Sequence, residues 1–203
     1  MQFVADLIDK GGLLIYPLFV LLFWGLGIII YKSMTLRHDS IINPDIVKAV
    51  EKLVIEKKIP EATAYCKQNE VPMTRVLLAG VINYQKSEAE LKEILEEAGR
   101  QEMPSIRSHL TALSTIASVS PLLGLLGTVV GMISVFTTLS QETTVNPAML
   151  AGGISEALVT TAFGMVIAMP TLAFYNYFLN RMQLLVLEME RVSLRMAAIL
   201  KRV

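Results

Sequence analysis

The sequence predicts an all-α integral membrane protein: three transmembrane helices with long helical extensions on the cytoplasmic side. Three observations predict it. The chain of 203 residues is 53% hydrophobic with a mean hydropathy of +0.54, too apolar for an ordinary soluble domain. Its apolar residues are clumped into three charge-free runs, Gly11–Tyr31 (21 residues), Leu110–Gln141 (32 residues) and Ala157–Asn180 (24 residues). About 20 residues of helix rising ~1.5 Å each cross a ~30 Å hydrocarbon core. The segments between the runs carry helix-start signals, and no strand alternation competes with them.

The elements follow in order. Residues 1–10 are an outer-face segment, in which "FVADLIDK" reads either as a short interfacial helix or as a frayed terminus. Residues 11–31 form the first transmembrane helix, with Trp24 in its interior and Tyr16 and Tyr31 nearer its ends. It reads as a retained helix: it is too long for a leader's apolar core, its flank is acidic on balance, and no small-x-small cleavage site follows.

Residues 32–109 form a helical cytoplasmic domain with 12 basic and 12 acidic residues. Asn43 before Pro44 is an N-cap, Pro60 and Pro72 open two more helices, and Ser87 with Glu90 has the form of a capping box. From there a helical pattern runs past Pro104, which predicts one unbroken helix into the second span at 110–140. Residues 141–150 are an outer loop. The third span, 151–180, continues as a helical tail over 181–203.

Charge layout sets the orientation. Of 18 Lys and Arg residues, one precedes the first span, 12 lie in 32–109, five follow 180 and none lies in 140–150. The positive-inside bias puts the N-terminus and the 140–150 connection outside, and residues 32–109 and the tail in the cytoplasm. The sole cysteine, Cys66, then falls on the cytoplasmic side as a structural thiol.

No P-loop, GxGxxG, HExxH or CxxC pattern is present, so the reading is of a non-enzyme with no cofactor, no metal site and no nucleic-acid partner. His38 and His109 are isolated and fall near the inner interface, where surface or headgroup contact rather than catalysis is expected of them.

The chemistry concentrates in the second and third spans. Small residues at three-to-four spacing, Gly124, Gly127 and Gly131 on one helix and Gly164 on the other, suit close helix packing. Pro121 and Pro170 interrupt the two hydrogen-bond ladders, as kinks or as flexible points. Thr128 and Thr161 are equidistant from the middle of the connection, so an antiparallel hairpin sets them at similar depth. Thr160 and Glu156 are four apart and share a face. A carboxylate in a span costs roughly 2.5–3.5 kcal/mol on insertion scales. Glu156 therefore reads either as a near-interface glutamate or as part of an enclosed cation path lined by Thr128, Thr160 and Thr161.

The stretches "SPLLGLLGTVVGMISVF" (120–136) and "GGISEALVTTAFGMVIAMPTLAFYNYF" (152–178) resemble the paired inner helices of the MotA/TolQ/ExbB proton channel family, with three spans as in its ExbB and TolQ branch. The resemblance implies a ring, a homopentamer, in the bacterial inner membrane around an ExbD- or TolR-like single-span partner. It implies that Glu156, Thr128 and Thr161 line the ion path, and that ion flow does work on a TonB- or TolA-like periplasm-spanning protein. The paired hydroxyls of Thr160 and Thr161 leave the ion open, since they suit either proton transfer through water or a hard cation; H⁺ is favoured over Na⁺. A stand-alone carrier and a passive membrane scaffold remain the competing readings.

Overall fold

The computed structural model describes residues 12–141 and 147–202, and among these the only regular elements are helices. They are α1 (Ile15–Thr35), α2 (His38–Ile41), α3 (Pro44–Ile55), α4 (Ile59–Gln68), α5 (Pro72–Ile82), α6 (Glu88–Arg107), α7 (Leu110–Gln141) and α8 (Pro147–Leu200). The expected segment at 1–10 lies outside the described residues, as do residues 142–146 of the expected outer loop. Three helices are long and apolar enough to cross a membrane, over Ile15–Thr35, Leu110–Ser140 and Leu150–Leu200.

The chain divides into two compact units, Met1–Tyr31 with His109–Asn176, and Lys32–Ser108 with Tyr177–Val203. In the second unit the local signals do their work. The Asn43 side chain accepts from the main-chain N–H groups of Asp45 and Ile46 at 3.1 and 3.4 Å, and Pro44 takes the first helical position. Ser87 and Glu90 close a reciprocal capping box at the start of α6. α4 and α5 begin with proline in the first turn. Their buried faces, Ala62 and Cys66 on α4 and Met73, Val76 and Leu77 on α5, join Val50 and Val54 of α3, Leu91 and Leu95 of α6, and Met196 and Leu200 of α8 in one apolar core. Two ion pairs flank it, Arg75 with Glu102 and Arg195 with Glu51.

One expectation is corrected. The helix from residue 88 does not run unbroken into the second span: α6 ends at Arg107, and α7 starts afresh at Leu110. Ser108 leaves the helical region (φ −47°, ψ 146°) and His109 adopts φ 63°, a left-handed conformation that an L-residue helix cannot pass through. Pro104, the more conspicuous breaker, is accommodated inside α6. His38, expected to make surface or headgroup contact, is part-exposed, and its Nε2 lies 2.9 Å from the Glu188 carboxylate.

Candidate functional site

The site is built from α7 and the part of α8 before Asn176, both in the first unit. Their register is written in the glycines. A Cβ added to Gly131 would meet Ala157, one on Gly127 would meet Thr160, one on Gly124 would meet Thr161, and one on Gly164 would meet Ser120 and Gly124. As α7 numbers fall, α8 numbers rise, so the helices run antiparallel. Main chain meets main chain most closely at Gly164, where an added Cβ would lie 2.5 Å from the Ser120 carbonyl oxygen. Lipid gives no hydrophobic drive between spans, so dispersion at such short range and hydrogen bonds carry the pairing.

Every candidate hydroxyl in this seam is spent on a main-chain carbonyl. Thr161 Oγ1 crosses from α8 to the Gly124 carbonyl at 2.7 Å. Thr160 is buried and donates to the Glu156 carbonyl at 3.0 Å. Thr128, half-buried, donates to Leu125 at 2.7 Å. The protons are thereby fixed, and what each oxygen retains is acceptor capacity, fit for a water, a hydronium or a hard cation. Thr128 lies one position beyond Gly127, which abuts Thr160, so the three threonines fall within about one helical turn of each other in depth.

Glu156 sits one turn from Thr160, half-buried, on the same helix. Its nearest marked neighbour is unexpected: Gly12, just before α1, where an added Cβ would collide with a Glu156 carboxylate oxygen. Gly12 has φ +60°, and its carbonyl accepts from Ile15 N–H at 3.3 Å to start α1. A carboxylate beside the first turn of a helix faces the positive end of that helix's dipole. The position lay in a glycine pair that marked nothing beyond the start of an apolar run.

The prolines do not end their helices. α7 continues through Pro121 and α8 through Pro170. The hydroxyls next to them, Ser120 and Thr171, donate to the carbonyls of Ile116 and Ile167 at 2.7 Å. These are one position along from the carbonyls of Ala117 and Val166 that each proline leaves without its helical donor. Ser120 is fully buried. It is the seam residue that sequence spacing alone undervalues, because its contribution is a carbonyl rather than a side chain.

The model of the MotA/TolQ/ExbB proton channel family matches residues 68–191. A relative in Synechocystis, the ExbB-like biopolymer transport protein 3, is 35% identical over 176 residues, covering 83% of this chain and 81% of its own. The biopolymer transport protein ExbB of Salmonella typhimurium is 47% identical over 66 residues, 32% of this chain and 27% of its own. The Tol-Pal system protein TolQ of Haemophilus influenzae is 42% identical over 79 residues, 39% of this chain and 35% of its own. The chain thus spans about four-fifths of the first of these and about a third or less of the other two.

Proposed function

Since this chain belongs to the MotA/TolQ/ExbB proton channel family, as a multi-pass membrane protein of ExbB/TolQ type, we propose that it is the ring-forming subunit of an ion-driven motor in the bacterial inner membrane. Copies of the chain, five by resemblance, surround an ExbD- or TolR-like single-span partner. Ion flow is converted into work on a TonB- or TolA-like protein that reaches across the periplasm. The N-terminus faces the periplasm and the C-terminus the cytoplasm, in keeping with the placement of basic residues.

The observation that carries this reading is Glu156, a carboxylate within the third apolar helix, set one turn from Thr160 beside a seam of oxygen acceptors. A lone acid makes a poor relay, so the partner supplies a second carboxylate, and each ion crossing 100 mV releases about 2.3 kcal/mol. The ion is H⁺, with Na⁺ as the alternative that the same oxygen ligands would serve.

One observation favours a second reading, a passive scaffold: the Thr161 hydroxyl bonds Gly124, which is a packing role. Ion flux separates the two. The protein is reconstituted in vesicles with its single-span partner, and H⁺ and Na⁺ gradients are imposed in turn. Partner-dependent flux in one gradient, lost in Glu156→Ala with assembly intact, supports the motor. Flux unchanged by the substitution, or assembly lost with it, supports the scaffold.

A further inference from the structure

We propose that the tail of α8, over 181–200, joins one copy of the chain to the next: a groove between α6 and α8 of one copy takes the outer apolar stripe of α8 from its neighbour. The residues concerned all lie in the second unit. The proposal rests on the ring of copies put forward above and names a surface that closes it.

Two seams of the same spacing run along this tail. Met182, Leu185, Met189, Val192 and Met196 stand at i, i+3, i+7, i+10 and i+14 and are buried in the chain's own core. Leu184, Leu187, Arg191, Leu194 and Ala198 repeat that spacing two positions on, and all five are exposed. A repeat of about 3.5 residues is what two helices lying side by side require, and one polar residue within it fixes register. A helix with apolar seams on both sides is suited to being covered on both.

The seat for a second helix lies beside the outer seam. α6 and α8 leave between them a groove of about 570 Å³, walled by Leu95, Gly99 and Met103 on one side and Met189, Glu190 and Leu194 on the other. A Cβ on Gly99 would meet nothing within 4 Å. This glycine weakens α6 relative to alanine and leaves a notch that no described side chain fills.

Charge and height say which helix fills it. Of the five charged residues over 181–195, Arg181, Glu188 and Arg195 are held by the Leu36 carbonyl, His38 and Glu51. On the groove's rim, Lys92 pairs with Glu88, and Arg100 with Glu96 and Glu97. Glu190 on the groove side and Arg191 on the stripe are exposed and make no ion pair among the described residues. The groove thus lacks a cation and the stripe an anion. The two residues differ in height by about 1.5 Å. Copies inserted in one membrane orientation run their α8 helices parallel, so an unstaggered neighbour brings its Arg191 level with Glu190. Groove and stripe are different faces, so the contact is head-to-tail and repeats around a ring, where a two-fold pair would set one face against itself.

The test uses the full chain in detergent with no other protein present. Cys66→Ala removes the native thiol, and Gly99→Cys sets one in the notch. Size-exclusion chromatography separates assembled copies from single copies obtained by dilution. Maleimide should label the notch about tenfold more slowly in the assembled fraction. Glu190→Arg or Arg191→Glu sets like charges together and should raise the assembled rate about fivefold, or deplete the assembled fraction. The two reversals combined restore the pair and should bring the rate back to within about twofold. Equal labelling of assembled and single copies, indifference to both reversals, or a combined variant no better than either alone would each overturn the contact. A ring that forms with its notches open sinks this contact and leaves the ring standing. A chain that never assembles sinks both.

Discussion

The Thr161 hydroxyl donates to the main-chain carbonyl of Gly124, 2.7 Å away and 37 positions earlier in the chain, and so ties α8 to α7 at the level of the candidate ion path. Thr161→Val keeps the side-chain shape and removes the bond. Such interhelical bonds average about 0.6 kcal/mol in membranes, too little to undo an assembly. The expected outcome is an intact complex by size-exclusion chromatography with flux lost, and Thr161→Ser restoring flux. Loss of the complex in Thr161→Val would make the residue a packing element only.

Gly164 is held to its size by the Ser120 carbonyl, which as main chain cannot swing aside. Gly164→Ala should separate α7 from α8 at a cost of about 1–3 kcal/mol, read as a lower midpoint in a denaturing-detergent titration. Gly152, whose added Cβ would meet nothing within 4 Å, provides the control: Gly152→Ala should leave the midpoint unchanged or raise it.

Much of this was legible from sequence because it is local or periodic. The Asn43 cap and the Ser87–Glu90 box are read within four residues, and the α7–α8 seam follows from glycines at three-to-four spacing. What escaped is long-range or conformational. Gly12 meets Glu156 across 144 positions, and only the packing of α1 brings them together. The break at Ser108–His109 has no glycine to announce it, and the helical pattern on either side of it is continuous. The polarity of Thr128, Thr160 and Thr161 was visible, but not that each hydroxyl proton is already committed to a carbonyl.

Gly12 and Glu156 make a coupled pair. Gly12→Ala places an L side chain at φ +60°, costing about 1–2 kcal/mol, and drives its Cβ into the Glu156 carboxylate. Glu156→Ala removes the second penalty and leaves the first. In a double-mutant cycle on stability in detergent, Gly12→Ala should therefore be less costly in the Glu156→Ala background. Additive effects would mean that the two residues do not meet.

Burial pushes the Cys66 thiol up to about 11. At pH 8 about one part in a thousand is thiolate, against roughly a quarter for a free cysteine near 8.5. Alkylation of the folded protein should be at least a hundredfold slower than in denaturant. The folded state keeps the proton that the unfolded state gives up, so this group's contribution to stability is whole below about 9 and is lost as pH rises toward about 11. A Cys66→Ala variant should lose less stability than the wild type across that window, as measured by urea titration.

Lys32 is the residue that secures the break between α6 and α7. It is 2% exposed, and its ammonium donates to the Ile106 carbonyl at 2.9 Å and reaches Ser108 Oγ at 3.5 Å. A cation is favourable at a helix C-terminus, where the last carbonyls lack helical donors. Lys32→Met retains the stem and removes the donor, stranding a carbonyl in the last turn of α6. Hydrogen bonds to charged groups contribute about 1.5–3 kcal/mol, so the thermal midpoint should fall measurably. A second readout distinguishes loss of this clamp from a general weakening. Arg107 is exposed at the end of α6, and trypsin cleavage there should accelerate in Lys32→Met well below the unfolding midpoint. An unchanged rate at Arg107, with the midpoint lowered, would mean that the ammonium contributes to the core without holding the junction.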